Sequence, residues 1–274
     1  MTDPNTDETP RADPIVLTRS GAVATLTFNR PAVLNVLDIA MMDALVAHTG
    51  AVAADSSLRV LVLRGAGPHF MAGGDLRCFA DLLAESPADP AGAFERIVLR
   101  VQTAIENLHR MPQIAIAAVH GAVAGFGLSI AAACDVVVAA DNAVFASAYR
   151  HIGVTPDGGA TWSLPRTVGL RRALDICLLG ERFGADEAQR IGLVSRVAAR
   201  DELDATVAAI VARLESGPRI ALRNVKRLLR DAFDRSLAVQ LEAEAKSFAE
   251  CAATSDFAEG VDAFLAKRAP RFAT

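Results

Sequence analysis

Ile114-Ala-Ile-Ala-Ala-Val-His-Gly-Ala-Val-Ala-Gly-Phe-Gly-Leu-Ser-Ile-Ala-Ala-Ala-Cys134 carries the strongest structural signal in the chain. The apolar run Ile114 to Val119 predicts a buried strand, Gly121, Gly125 and Gly127 punctuate it, and Leu128 to Ala133 predicts a helix. The start of a helix has backbone N–H groups with no partner inside the helix, and flanking glycines let a ligand approach that backbone closely. The stretch is therefore either built to hold a negative oxygen or is a plain βα turn of an α/β core.

The same plan occurs upstream. Val60 to Leu63 is continuously apolar, as in a strand covered on both faces. It leads through Gly65-Ala-Gly67 into Phe70-Met-Ala-Gly-Gly-Asp-Leu76 and helical residues to about Leu83. Two glycine turns that each open a helix supply two candidate N–H donors, at Gly74 and Phe126, and donors converging from separate elements are what an oxyanion hole requires. Position 130 is Ile130 where a dinucleotide-binding turn has its third glycine, and neither turn carries the P-loop lysine pattern, which argues against nucleotide phosphate.

Around these turns, Ile15 to Thr18 and Ala22 to Phe28 are strands joined at Ser20-Gly21. Asp38 is an N-cap for a helix to about Ala54, residues 85 to 92 are a loop, and Phe94 to Leu108 is an amphipathic helix. Downstream, Val136 to Ala139, Ala143 to Ala146 and Val194 to Val197 are short strands, while Trp162 to Leu164, Arg171 to Leu179 and Ala185 to Ile191 are helical. From Asp201 the pattern is purely helical, at about 201 to 215, 218 to 233, 236 to 252 and 256 to 267. The expected organisation is a disordered tail over residues 1 to 13, an α/β core with the active site over 14 to 200, and a helical region over 201 to 274. The apolar faces of that last region need a partner, either the core or another subunit.

A chain of 274 residues, 52% of them hydrophobic, can build a sizeable core. Its net charge of −4 comes from nearly balanced charges, which gives no support for nucleic-acid or anionic-membrane binding. Cys78, Cys134, Cys177 and Cys251 have no metal-ligand or paired spacing, and no secretory signal opens the sequence, so free thiols, no metal and a cytoplasmic location are expected. The apolar stretch Ile114 to Ala140 is broken by glycines and changes periodicity, which favours strand, helix and strand over a membrane span.

Four segments together resemble the crotonase (enoyl-CoA hydratase/isomerase) superfamily: Asn29-Arg-Pro with Leu34-Asn35, Phe70 to Leu76, His120 to Gly127, and Pro156-Asp-Gly-Gly159 with Leu164-Pro-Arg166. The resemblance covers about residues 14 to 270. It implies an α/β spiral of ββα turns with a C-terminal helical trimerisation region, giving a homotrimer or hexamer. It further implies an acyl-CoA thioester substrate, with coenzyme A belonging to the substrate and no separate cofactor, and an oxyanion hole made by the N–H groups of Gly74 and Phe126. By the same resemblance Arg30, Ala32 and Leu34 line the adenine and pantetheine of CoA, with Ala72, Asp75 and Leu76 beside them. Arg77 and Lys267 stand where relatives place basic residues near the CoA phosphates; for Arg77 a solvated helix position is the other reading, and for Asp75 a helix cap is.

Hydratases of this superfamily use two glutamates, and the matching positions here are Ser129 and Tyr149. Hydration needs one group to activate water and another to manage the proton on carbon, and neither residue is a carboxylate. Asp157 remains. Its Thr-Pro-Asp-Gly-Gly setting suits simple turn chemistry, but the pattern around it resembles the 1,2-epoxyphenylacetyl-CoA isomerase group and its enoyl-CoA isomerase relatives, in which this aspartate is the proton-transfer base. One carboxylate suffices to move a proton from C2 to C4 of an enoyl thioester. Ile152, Val154 and Trp162 are the expected apolar walls, with Ser129 and Tyr149 also at the acyl pocket. Residues 78 to 102 are expected to shape its end, where Phe79 and Phe94 suit an aromatic or medium acyl chain. Tyr149 either fills the space of the absent glutamate or hydrogen-bonds the substrate. Alternatives are a hydratase-like enzyme without the glutamate pair, a dehalogenase or hydrolase with Asp157 as nucleophile, whose helical histidine is here Gln102, and an acyl-CoA binding protein without catalysis.

Overall fold

Six strands form the main sheet of the computed structural model, which describes residues 13–272. β1 (Ile15–Ser20) and β2 (Val23–Phe28) make an antiparallel hairpin, followed by α1 (Ile39–Ala54), β3 (Val60–Gly65), α2 (Leu76–Glu85) and α3 (Pro90–Arg110). β4 (Ile114–Val119), β5 (Ala122–Ala124), α4 (Phe126–Ala133), β6 (Val136–Ala140) and β7 (Val144–Ala146) come next. A short 3-10 turn over Ala148–Ile152 leads to α5 (Ala160–Val168), α6 (Leu170–Leu179), β8 (Phe183–Gly184), α7 (Ala185–Arg190) and β9 (Arg196–Ala198). Four helices close the chain: α8 (Leu203–Glu215), α9 (Arg219–Asp231), α10 (Leu237–Ala252) and α11 (Ser255–Leu265). The main sheet has the order β1-β2-β3-β4-β6-β9 and is parallel from β2 onward, while β5, β7 and β8 form a second sheet.

Side chains alternate between the faces of a strand, and here that alternation separates two cores. Leu61, Leu63, Ala115, Ala117 and Val119 join the large core on the side of α1, α3 and α4. Val60, Val62, Ile116, Ala118 and Val138 face the other way and are covered by Leu203, Val207 and Ile210 of α8. The first C-terminal helix is thus the second lid of the sheet, which is why Val60 to Leu63 of β3 and the whole of β4 are apolar. By contrast α10 and α11 leave Leu237, Phe248, Phe264 and Leu265 exposed.

Several boundaries differ from expectation for local reasons. α3 begins at Pro90 rather than Phe94, because Asp89 caps it by accepting from the Gly92 N–H at 2.9 Å and proline fits the first helical position. α4 begins at Phe126, two residues early, since Gly125 at φ +53° already serves as its N-cap. β9 lies at 196–198 because Ser195 uses both its N–H and its hydroxyl on Val137 to set the strand register. Residues 1 to 12 of the expected tail lie outside the described residues; the Asp13 carbonyl accepts from the Asn29 side chain. The long apolar stretch resolves into β4, β5, α4 and β6, and among the described residues no helix is long and apolar enough to cross a membrane.

Charge fixes α9 to the core. Lys226, 7% exposed, donates to the carbonyls of Leu108 (3.0 Å) and Gln113 (2.8 Å) and pairs with Asp135 at 2.8 Å. Arg230 pairs with the other oxygen of Asp135 at 2.7 Å and donates to the Ala133 carbonyl. Two cations thereby cover the C-terminal ends of α3 and α4, where the helix dipole favours positive charge. Replacing Lys226 with Met strands part of the buried Asp135 charge and two carbonyls, and should lower the unfolding free energy by about 3 kcal/mol in urea titration.

Candidate active site

The two glycine turns cross. Met71 donates its N–H to the Ala122 carbonyl at 3.0 Å and accepts from the Ala124 N–H at 2.9 Å, so the segment after β3 pairs with β5 like a short strand. The crossing is tight enough to require glycine: a Cβ on Gly125 would lie 3.2 Å from Gly73 Cα, and one on Gly127 would lie 2.3 Å from the Met71 carbonyl oxygen. On the other side, Leu37 donates to the Gly73 carbonyl (2.8 Å) and accepts from the Asp75 N–H (3.0 Å). In such a parallel bridge the flanking residues make the bonds, so the N–H of Gly74 itself points away from Leu37. Phe126 is the first residue of α4, where an N–H has no acceptor within the helix. Among the described residues neither N–H donates to a backbone carbonyl, and Gly74 and Phe126 line one cavity of about 380 Å³.

Asp157 lines the same cavity. Its loop reaches there because Gly158, at φ +56°, packs against the ring of Phe126 and Cβ of Ser129, where a Cβ would come within 3.0 Å. Tyr149 donates its hydroxyl hydrogen to Asp157 Oδ1 at 2.6 Å, and Ser129 Oγ lies 2.9 Å from the Tyr149 oxygen. Burial pushes the Asp157 carboxyl above the usual carboxylate range, while the bonds from Tyr149 and from its own backbone N–H pull it partly back. Burial, reinforced by the neighbouring carboxylate, pushes the Tyr149 phenol upward, so it remains a donor. Apart from Thr155 the rest of the lining is apolar and includes Phe79 and Phe94, whose rings meet edge to face at 5.3 Å.

Of the residues singled out from sequence, Gly74, Phe126, Asp157, Ala72, Leu76, Tyr149 and Val154 line this cavity, as does Ile152. Ser129 stands behind Tyr149, fully buried. Trp162 is a correction: it lines a neighbouring groove of about 510 Å³ on the far side of Gly158 and Gly159, held by the His109 ring at 4.9 Å and the Arg166 guanidinium at 4.0 Å. The stack on α5 turns its ring away from Asp157. Arg30 is turned inward too, bonding Asp38 and Asp75 at 3.1 Å each and the Val36 carbonyl. Its guanidinium joins the caps of α1 and α2, with Asp75 accepting from the Arg77 N–H. Ala32 and Leu34 lie on an exposed turn whose Leu34 carbonyl accepts from the Ala72 N–H. Arg77 is exposed on the first turn of α2, and Lys267 is exposed past α11, outside the residues lining the cavity. Gln102 also lies outside it, donating to Glu106. Leu37, just ahead of α1, and Met42 on α1 line it without having been singled out for it, since both read as ordinary apolar core positions. Among the described residues no cluster of three His, Cys, Asp or Glu is placed to hold a metal.

A family model described as enoyl-CoA hydratase/isomerase matches residues 18–274. The chain is 38% identical over 255 residues to a probable enoyl-CoA hydratase of Rhodobacter capsulatus, spanning 92% of this chain and 95% of that protein. It is 34% identical over 254 residues to 1,2-epoxyphenylacetyl-CoA isomerase of Escherichia coli, spanning 91% and 94%. The crystal structure of an enoyl-CoA hydratase from Polaromonas sp. JS666 superposes with a TM-score of 0.87 at 32% identity, covering 94% of this chain and 99% of that one.

Replacing Gly127 with Ala forces the new methyl onto the Met71 carbonyl and should cost about 2 kcal/mol, read as a lowered melting temperature. Acyl-CoA affinity by calorimetry should fall with it. Gly184 has nothing within 4 Å of a Cβ, so Gly184→Ala should change neither.

Proposed function

The chain belongs to the enoyl-CoA hydratase/isomerase family, and from that premise we propose that it is an acyl-CoA isomerase moving the double bond of a 3-enoyl thioester to the 2-position. The observation that carries this reading is that Asp157 is the sole carboxylate among the residues lining the cavity onto which Gly74 and Phe126 also open. A hydratase of the two-carboxylate kind would need a second acid, and the polar side chains around Asp157, namely Tyr149 with Ser129 behind it and Thr155 on the same loop, are all hydroxyls.

In this reading the thioester oxygen accepts from the Gly74 and Phe126 N–H groups. The Asp157 carboxylate removes a proton from C2, and the electron pair of that C–H bond delocalises onto the thioester oxygen. Two amides fixed in advance hold the resulting charge, and losing one such donor typically costs about 10² to 10³ in rate. The same carboxyl returns its proton to C4, leaving the double bond between C2 and C3. The raised pKa of Asp157 makes it a better base than an exposed carboxylate.

The cavity lining contains no Lys, Arg or His, so a terminal carboxylate on the acyl group would be buried unpaired. A neutral aliphatic or aryl group fits the Phe79 and Phe94 rings. Coenzyme A is placed at the mouth, beside Ala72 and Leu76 and the exposed Arg77. A homotrimer or hexamer is part of the reading, supported by the exposed apolar side chains of α9 to α11, such as Leu229, Phe248 and Phe264.

With a panel of 2-enoyl, 3-enoyl and aryl-acetyl thioesters followed by mass spectrometry, the expected product from a neutral 3-enoyl-CoA is its 2-enoyl isomer with no added water. Asp157→Asn should lower kcat by about 10² or more, and undiminished turnover removes the base assignment. Hydration of a 2-enoyl-CoA, release of halide or free acid, or tight binding without conversion would each select one of the rival activities. Light scattering should give three or six chains per particle, and a monomer at micromolar concentration removes that part of the reading.

A further inference from the structure

We propose that Tyr149 is the positioning residue of the base: its hydroxyl holds Oδ1 of Asp157, leaving Oδ2 as the single oxygen that exchanges protons with the substrate. This rests on the reading of Asp157 as the acid/base group. Tyr149 is only 8% exposed, and its hydroxyl has one hydrogen, which it gives to Oδ1 at 2.6 Å. Having donated, its oxygen can only accept, and the donor within reach is Ser129 at 2.9 Å, whose competing acceptor is the Gly125 carbonyl at 3.3 Å. The three groups therefore form a directed chain from Ser129 through Tyr149 to Asp157. Its far end is fixed through the backbone, where the Ser129 N–H donates at 3.2 Å to the carbonyl of Gly125, the residue that caps the helix opening at Phe126.

The backbone fixes the same pair. Tyr149 and Asp157 are eight residues apart, on either side of a reversal closed by the Val154 N–H, which bonds to the Tyr149 carbonyl at 3.3 Å, and by Gly153 in the left-handed region. With its hydrogen committed, Tyr149 neither fills space passively nor addresses the thioester. With Oδ1 held, Oδ2 takes the C2 proton as the C2–H electron pair moves towards the thioester oxygen. The O–H bond at Oδ2 then breaks to form the bond at C4. One fixed oxygen serves both carbons, which keeps the transferred proton on one face of the substrate.

A hydroxyl donating to a carboxylate favours its ionised form, so Tyr149 opposes the upward push of burial on Asp157. No other titratable group lines the cavity: α2 and α3 present Phe79, Phe94 and Val98, and α4 presents Phe126 with Ser129 behind it. Glu106, His109, Arg110 and Arg230 stand in the neighbouring groove, beyond Gly158 and Gly159. Removing the phenol hydroxyl should therefore raise the pKa of the base.

The test compares wild type, Tyr149→Phe and Ser129→Ala. The carboxyl of Asp157 is followed by carbon NMR titration in unliganded protein, with Asp157→Asn identifying the signal. Tyr149→Phe should move the midpoint upward by about one pH unit, a tenfold change in proton affinity. The acid limb of kcat/KM should move the same way, with kcat about tenfold lower at neutral pH and KM within about threefold. Ser129→Ala should shift both in the same direction by less, and it serves alone if Tyr149→Phe does not fold. An unmoved midpoint and acid limb overturn the proposal, as does a rise in KM at constant kcat, which would assign Tyr149 to substrate binding. Turnover surviving in Asp157→Asn overturns it through the base assignment, and that failure is recognised because the unliganded midpoint still moves in Tyr149→Phe.

Discussion

Everything at the candidate site depends on two backbones passing each other at van der Waals distance. The pairing of Met71 with Ala122 and Ala124 draws the turn after β3 across the start of α4, and the absence of Cβ atoms at Gly125 and Gly127 permits it. A Cβ at Gly127 would press to 2.3 Å of the Met71 carbonyl oxygen and force the turns apart, while one at Gly125 would already be tight against Gly73 at 3.2 Å. Once they cross, two unpaired amides face one cavity with no side chain needed to aim them. The Asp157 loop then seats on the same surface through Gly158, against Phe126 and Ser129. In the proposed reading, main chain supplies the anion-stabilising geometry and Asp157 the one acid added to it.

The second constraint is electrostatic and acts at a distance from the cavity. Arg30 ties the N-caps of α1 and α2 together, since Asp38 and Asp75 each cap a helix and each bond the same guanidinium. Lys226 and Arg230 do the opposite job at the other helix ends, covering carbonyls of α3 and α4 while sharing Asp135. Such pairs are costly to bury and more costly to break. They fix α1, α2, α3 and α4, the four α-helices that contribute to the cavity lining.

Much of this was legible in the sequence wherever local pattern and tertiary role coincide. The strands β3 and β4, the two glycine turns and the candidate donors Gly74 and Phe126 follow from apolar runs interrupted by glycine, whereas the place of Asp157 beside them was implied by the resemblance of its Pro-Asp-Gly-Gly loop to the family and not by its spacing. What pattern hides is direction. Trp162 lies five residues from Asp157 in the chain, yet its ring stacks on Arg166 and faces the other groove, because α5 begins between the two and rotates it away. Arg30 reads as a free cation in sequence, and only folding brings Asp38 and Asp75 to it. Tyr149 is ambiguous alone, since its partner depends on a reversal at Gly153.

Val98 borders both hollows, the one of about 380 Å³ that holds Asp157 and the one of about 510 Å³ that holds Trp162. Val98 on α3 is the residue common to both linings, and Gly158 and Gly159, which border the second hollow, contribute no side-chain bulk. In the reading proposed above, the size of the side chain at position 98 governs how far an acyl group extends towards the second hollow, and it does so at a residue separate from the amides of Gly74 and Phe126 and from Asp157.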